Sequence, residues 1–477
     1  MLIIILATLF KALFAVPLYL LDDEAYYWVW SRNLSLSYFD HPPMIAILIR
    51  LSTTFFGDSF LGIRALGAIA TGIGIWFGLD LTYRIYQDKK ALWNATWLFL
   101  LALPLFAAGI IMTPDTPMML FITLALWSFY RAAFEMENKY WWVCGISFGL
   151  ALLSKYTVIL WLGSMFLLLV IDPHLRRQLR RPTPWLAGAI ALLLFSPVIY
   201  WNATHDWVSF KFQLGHGLEL KDPRPLFYLG EYFAGQAGLM TPGVFLLILA
   251  LWGKMTANWK KLSGAERFLL VSGFTPFLFF MYAGSRTHVE ANWPALTYLT
   301  GIIIAARWHA NARGWQKWIK GINYSFLILF LLIIIVQAHF KVLPLKGKND
   351  PTNRYYGWPG ALDQIEQLWH EYPQAMPVGN KYQIQSQIAY RFKTISTPAL
   401  NIGGRSNHFE YFDYQPLIGR DILIVSSERN PRPAKFQAVF DSVNFLKTIT
   451  IYRNGELVKK LQVYLGNNYH GKNEPDK

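Results

Sequence analysis

Apolar residues in this chain come in long runs rather than in alternation with polar ones. The stretches 91–111, 144–171 and 325–340 hold few charges, and a helix that crosses a bilayer needs about 20 mostly apolar residues. The pattern predicts eleven spans, at 1–21, 58–83, 91–111, 115–134, 140–154, 156–172, 184–202, 239–255, 266–283, 293–308 and 318–340. Residues 1–21 have neither a basic leading segment nor a small-residue cleavage site, so they read as a retained first helix rather than a signal peptide. Lys11, in the middle of that helix, has no explanation in the pattern.

Beyond residue 340 the pattern changes to alternating polar and apolar stretches with no further span. GWPGALDQIEQLWHEY predicts a helix, DILIVSS a buried strand, and TITIYRNGELVKKLQVYL a hairpin turning at Asn454-Gly455. The expected fold is therefore a polytopic α-helical membrane protein, with a transmembrane domain over 1–340 and a soluble α/β domain over 341–477.

Composition agrees. The chain is 54% hydrophobic and 15% charged, against roughly 25% charged in soluble proteins. The net charge of +15 suits an anionic membrane surface better than nucleic acid in a chain with 20 Trp. Cys144 is the single cysteine, so no disulfide forms within the chain. No nucleotide-binding loop is present.

Charge also sets an expected orientation. One alternate set of predicted loops carries 17 Lys and Arg residues; the other carries seven, among them Lys155, Lys211, Lys221 and Arg286. By the positive-inside rule the first set is cytoplasmic, so the segment DDEAYYWVWSR and the C-terminal domain face out.

The unusual polar residues then gather on that outer side: Asp22, Asp23, Glu24, Asp40, His41, Asp115, Lys155, His205, Asp206, His216, Glu231, Arg286, His288, Glu290 and Asn292. Three adjacent carboxylates at mid-bilayer would cost about 8–10 kcal/mol, so they belong at the interface. Each alone reads equally as a solvated helix end, with Ala25–Trp30 as an interfacial aromatic belt. Taken together, acids and cations beneath outer loops suit transfer of a sugar from a lipid phosphate. A carboxylate removes the acceptor's proton, and cations or a metal meet the charge growing on the leaving phosphate.

DDEAYYWVWSR, YFDHPP, GIRALGA, MTPDTPMMLF, LLSKYT and RTHVEANWPA occur in that order. As a set they resemble the GT-C glycosyltransferases, most closely the bacterial branch related to lipid A aminoarabinose transferase and protein O-mannosyltransferases. NKYQIQSQIAY and GGRSNHFEYF extend the resemblance into the C-terminal domain. It implies a fold of membrane helices with outer-face interfacial helices. It matches Asp23 to the catalytic acid; Asp22 or Glu24 beside it is expected to orient it or bind sugar hydroxyls. Asp40 and His41 fall in an acid-base-Pro-Pro motif near the lipid phosphate, where His41 replaces a lysine. Arg64, Asp115 and Lys155 match donor-side positions. Arg286 and His288 fall in a loop that differs from the aminoarabinose enzymes. Asp40 with His288 offers two ligands for a divalent metal such as zinc, manganese or magnesium, completed by the donor phosphate; the two histidines hydrogen-bonding the phosphate directly is the alternative.

The resemblance implies an inverting glycosyltransferase of the bacterial inner membrane. Its donor is a polyprenyl phosphate, undecaprenyl phosphate in bacteria, and its acceptor lipid A or another envelope glycan. A protein hydroxyl is the alternative acceptor. A transporter or lipid flippase is the rival of another class, though its ionisable groups would lie near the midplane. The orientation is tested by reporter fusions: a periplasm-active reporter after residue 345 should be active, and one after Arg181 silent. The reverse pattern would place the acidic segment in the cytoplasm.

Overall fold

The computed structural model describes residues 1–218, 224–427 and 433–471. Lys221 and the side chain of His216 lie outside the described residues. The chain divides into two units. The first comprises Met1–Ala15, Leu36–Leu48 and Arg64–Ile333; the second comprises Val16–Ser35, Ile49–Ile63 and Ile334–Lys477. The second unit thus extends beyond the expected 341–477, because it takes in the acidic segment and residues 49–63.

The first unit is helical, and each expected span holds a helix. Four of these helices are long and apolar enough to cross a membrane: Phe60–Tyr86, Pro182–Ala203, Gly264–Gly284 and Gln316–Phe340. The pair Pro225–Met240 and Pro242–Ala257, bent by 111°, forms either a broken span or a re-entrant loop. The bend lies at Thr241, whose φ of 63° is uncommon outside glycine. Pro242 after it disfavours helical backbone at Thr241. The expected loop over 203–238 is itself helical in part, with helices Val208–Leu218 and Pro225–Met240.

The other spans fold shorter than their apolar runs suggest. The run 91–111 breaks at Ala102, between the helices Lys89–Leu101 and Leu103–Ala107. That break accounts for Lys11. Its buried ammonium donates to the Leu105 carbonyl at 3.0 Å, and Gly109 leaves room for the side chain, since a Cβ there would lie 2.7 Å from Lys11 Cδ. A lysine thus serves a carbonyl at the helix break.

Helix packing in this unit uses small residues. Helix Tyr140–Leu152 presents Gly145 and Gly149 to Ala187 and Ala191 of Pro182–Ala203. A Cβ at Gly145 would come within 2.5 Å of the Ala187 carbonyl oxygen. Small residues four apart let two backbones meet where no hydrophobic effect separates helix from lipid.

In the second unit, four strands form a sheet in the order β1-β2-β4-β3: β1 Met376–Gly379, β2 Ile422–Ser427, β3 Phe440–Arg453 and β4 Glu456–Tyr469. β1 and β2 are parallel, and the other neighbours antiparallel. β2 is apolar along its length because it is covered on both faces. Leu423 and Val425 meet helices Trp358–Glu371 and Tyr382–Phe392, and Ile422 and Ile424 meet Phe436 and Phe440. β3 and β4 join through Asn454-Gly455, with φ of 50° and 78°, the left-handed pair that a two-residue hairpin needs. The predicted helix, strand and hairpin are all present.

Gly145→Leu should destabilise the protein by about 1–3 kcal/mol through overpacking, read as a lower Tm in detergent. Gly163→Leu is the control, as a Cβ there meets nothing within 4 Å. Equal Tm in both variants would mean that the Gly145 contact is loose.

Candidate active site

The acidic segment forms the first turn of helix Asp22–Arg32 in the second unit. Acids are favoured there because the N-terminal amide groups are unpaired and partly positive. The rings that follow do not form an interfacial belt. Tyr26, Tyr27, Trp28 and Trp30 are all buried, for they pack on the C-terminal segment: Tyr26 on Tyr382 at 4.7 Å, Trp28 edge-on to Tyr390 at 5.0 Å, and Trp30 beside His408 at 5.8 Å. The far end of the helix is tied by Asp58, which accepts from the Trp28 indole at 2.7 Å and pairs with Arg32 at 3.2 Å and Lys393 at 3.1 Å.

Each of the three carboxylates has its own surroundings. Glu24 is fully buried and accepts from the Leu21 amide at 3.0 Å, capping the helix. Asp22 Oδ1 accepts from the Trp358 indole at 2.6 Å and from Gln387 at 3.4 Å. Lys459 sits over the Trp358 ring at 3.5 Å, and burial lowers its pKa to about 8 despite Asp22. Asp23 differs from both. Tyr382 donates to its Oδ1 at 3.2 Å, while Arg354 approaches Oδ2 only to 3.7 Å. Its side chain keeps 36% exposure. Loss of surrounding water pushes the Asp23 pKa above the usual carboxylate range, and Asp22 adds to the rise. Arg354, Tyr382 and Arg405 work against it.

Tyr382, Gln387 and Arg405 lie within the two C-terminal motifs NKYQIQSQIAY and GGRSNHFEYF, so a signal for them existed in the sequence. Arg354 and Trp358 carried none.

The first unit brings four of the motifs together. The Met44 amide donates to the Leu153 carbonyl at 2.9 Å, and Ser37 meets the Tyr156 hydroxyl at 3.2 Å, which joins the YFDHPP loop to the LLSKYT turn. Lys155 donates to Asp115 Oδ1 at 2.7 Å, and Asn292 to Asp115 Oδ2 at 2.9 Å. Those bonds add MTPDTP and the loop before Trp293. Lys155 is buried and Asp115 nearly so, with side-chain exposures of 8% and 19%. Asp40 is buried and His41 half-buried, their loop held by Gln213 on the Asp40 carbonyl and by Ser209 on that of Tyr38.

Three further expected donor-side residues have partners of their own. Arg64 is buried and donates to the Ala15 carbonyl at 2.7 Å, tying down the end of helix Leu2–Ala15. Arg286 lies over the Tyr282 ring at 5.7 Å. His288 stands between Glu231 at 3.3 Å and Glu290 at 3.6 Å, acidic surroundings that disfavour a phosphate. Among the described residues no three His, Cys, Asp or Glu side chains form a metal-binding group. No step is assigned to a metal ion at Asp40 and His288.

Comparison with known proteins bears on this geometry. The family model described as dolichyl-phosphate-mannose-protein mannosyltransferase matches residues 40–201. A lipid A galacturonosyltransferase, RgtD, from Rhizobium johnstonii is 26% identical over 341 residues, 68% of this chain and 67% of its own. An undecaprenyl phosphate-α-4-amino-4-deoxy-L-arabinose arabinosyl transferase from Shewanella sediminis is 24% identical over 68% of this chain and 60% of its own. The crystal structure of ArnT from Cupriavidus metallidurans bound to undecaprenyl phosphate covers 97% of both chains with a TM-score of 0.65 at 14% identity, a likeness of fold. The chain is a multi-pass membrane glycosyltransferase, dependent on a lipid-linked sugar. One of its relatives is named for lipid A.

The Lys155–Asp115 pair gives a direct test. Lys155→Met should abolish transfer and also lower stability by about 1.5–3 kcal/mol, since Asp115 keeps only Asn292. Lys155→Arg should restore most of the Tm. An unchanged Tm in Lys155→Met would show that the pair contributes nothing to folding.

Proposed function

We propose that the protein moves a sugar from undecaprenyl phosphate to lipid A, at the outer face of the bacterial inner membrane, with the 341–477 region on that face. The observation that carries this reading is the environment of Asp23. Asp23 Oδ2 has no hydrogen bond among the described residues and faces Arg354 at 3.7 Å, and Oδ1 has the Tyr382 phenol alone, whereas Asp22 Oδ1 takes both an indole and an amide. Glu24 is committed to its helix terminus and Asp22 to an indole.

Asp23 serves as general base. It takes the proton of the acceptor hydroxyl as that oxygen bonds to the anomeric carbon. The bond from that carbon to the phosphate oxygen breaks, and undecaprenyl phosphate leaves with the electron pair. One displacement at one carbon inverts its configuration. A raised pKa makes Asp23 a stronger base than an ordinary carboxylate. Lys155, oriented by Asp115, supplies positive charge for the leaving phosphate. Asp40 and His41 form the loop beside that turn and contribute to holding the donor. Glu24 and Arg64 act as positioning residues.

The experiment is transfer by the purified protein in nanodiscs, with lipid A analysed by mass spectrometry. Asp23→Asn keeps the shape and loses the base, so turnover should fall by about 10²–10⁴ with little change in Tm. The acidic limb of the wild-type pH profile should lie above the ordinary carboxylate range, because the base is lost as pH falls through the raised pKa. Near-normal turnover in Asp23→Asn would move the base elsewhere. Sugar appearing on proteins instead of lipid A would favour the protein-transferase alternative that the family match suggests.

A further inference from the structure

The first unit holds a surface cavity of about 260 Å³, lined by Lys89, Lys90, Trp93, Asn94, Ala310 and Lys320. None of these residues takes part in the Asp23 or Asp115 site. Lys89 and Lys90 open helix Lys89–Leu101, where unpaired backbone amides favour acids and disfavour cations. Lys320 is half-buried, near the start of helix Gln316–Phe340. Tyr324, one turn further on, ties the two helices together, its hydroxyl donating to Asn94 Oδ1 at 3.0 Å. Among the described residues none of the three ammonium groups has a hydrogen bond or an ion pair. The acid nearest in sequence, Asp88, is already committed. One of its oxygens accepts from the Lys90 amide at 2.7 Å, and the other pairs with Arg307. Three like charges thus share one cavity without a counter-charge, although they repel one another and a half-buried cation is costly without a partner.

We infer that this cavity holds the phosphate of an anionic phospholipid headgroup. A phosphate has oxygens enough to accept from all three ammonium groups at once, and such charge-assisted bonds are the strong ones. A free phosphate has the same chemistry, but the surroundings favour a lipid. Trp93 in the lining and Trp315 and Trp318 at the start of the second helix are exposed, as indoles are at headgroup level. Lys89, Lys90 and Lys320 belong to the charge-rich segments expected on the cytoplasmic side, where the leaflet is anionic and basic pockets between membrane helices take lipid headgroups. The volume is below the roughly 300–1,000 Å³ of pockets that enclose a whole ligand, so a headgroup enters and its acyl chains stay outside. An apolar track for them exists on the same helix, where Ile322, Phe326 and Leu329 are exposed at helical spacing on one face. A phosphate held here bridges the first turn of Lys89–Leu101 to Gln316–Phe340 and removes the repulsion between them.

The test uses the full-length protein in neutral detergent, titrated with dioleoylphosphatidylglycerol, dioleoylphosphatidylcholine or inorganic phosphate. Native mass spectrometry counts bound lipid, and Tm follows stability; neither readout uses sugar transfer, so the outcome is independent of the proposed function. Wild type should bind phosphatidylglycerol in preference to phosphatidylcholine, and its Tm should rise as it binds. Each lysine should contribute about 5-fold, so Lys89→Gln, Lys90→Gln and Lys320→Gln combined should weaken the tightest phosphatidylglycerol by roughly 100-fold. The control removes three exposed charges from the same expected side, Lys254→Gln, Lys260→Gln and Lys261→Gln, and should weaken it far less. Without added lipid the cavity variant should keep or gain Tm, since it loses only repulsion. A lower Tm there would make the lysines structural and overturn the site. Equal weakening in the control would reduce the binding to diffuse surface charge and overturn it too. Equal affinity for phosphatidylcholine would overturn the role of the cations. Inorganic phosphate raising Tm as much as phosphatidylglycerol at equal concentration would overturn the lipid assignment in favour of a free anion.

Discussion

A carboxylate taken out of water must be given donors or lose its charge, and residues 22–24 place that demand on three neighbours at once. The chain meets it three ways. Glu24 turns inward to a backbone amide, Asp22 to an indole and a glutamine, and Asp23 to a phenol with a guanidinium standing off. The side-chain partners of Asp22 and Asp23 come from residues 354–387. A helix at the start of the chain therefore depends on a segment more than three hundred residues later for its charges. This explains why helix Asp22–Arg32 belongs to the same unit as the sheet, and why its aromatic residues are core rather than membrane surface.

A second constraint of the same kind organises the first unit. Asp115 stands in the first turn of helix Asp115–Ala133, where its charge is favoured, and its two oxygens are shared between Lys155 and Asn292. One buried acid thus draws together three chain segments far apart in sequence. The backbone bond from Met44 to Leu153 adds a fourth. The cost of leaving either Lys155 or Asp115 unpaired in a nearly dry site fixes this arrangement more firmly than any apolar contact would. A lysine held in this way has its ammonium at a defined place, which is what charge stabilisation of a leaving group requires.

How much of this was legible in the sequence follows from the range of each signal. Helices, β2 and the Asn454-Gly455 hairpin depend on local periodicity and turn chemistry, so they were read correctly. The lengths of the spans were not, because hydropathy does not register the break at Ala102 or the bend at Thr241, where the chain stays apolar while the backbone turns. Lys11 was opaque for a related reason: its partner is the Leu105 carbonyl, in the short helix Leu103–Ala107 that follows the break. The candidate acids were visible as charges in apolar surroundings. Their division of labour was not, since a cap, an indole acceptor and a base look alike in the string Asp-Asp-Glu. Arg64 shows the converse, an arginine in a recognisable motif whose observed partner is the Ala15 carbonyl.

Electrostatics distinguishes the two units in a way that bears on mechanism. Around Asp115 and Lys155 the charges are matched and mostly buried, so that site is fixed before any substrate binds. Around Asp23 they are unmatched: the carboxylate is partly exposed, its nearest guanidinium is not hydrogen-bonded to it, and its pKa is raised by burial while nearby cations oppose the rise. A site with unsatisfied donors changes most when a ligand fills them. Asp23 therefore lies where a ligand can alter its surroundings, and Lys155 lies where Asp115 already holds its charge in place.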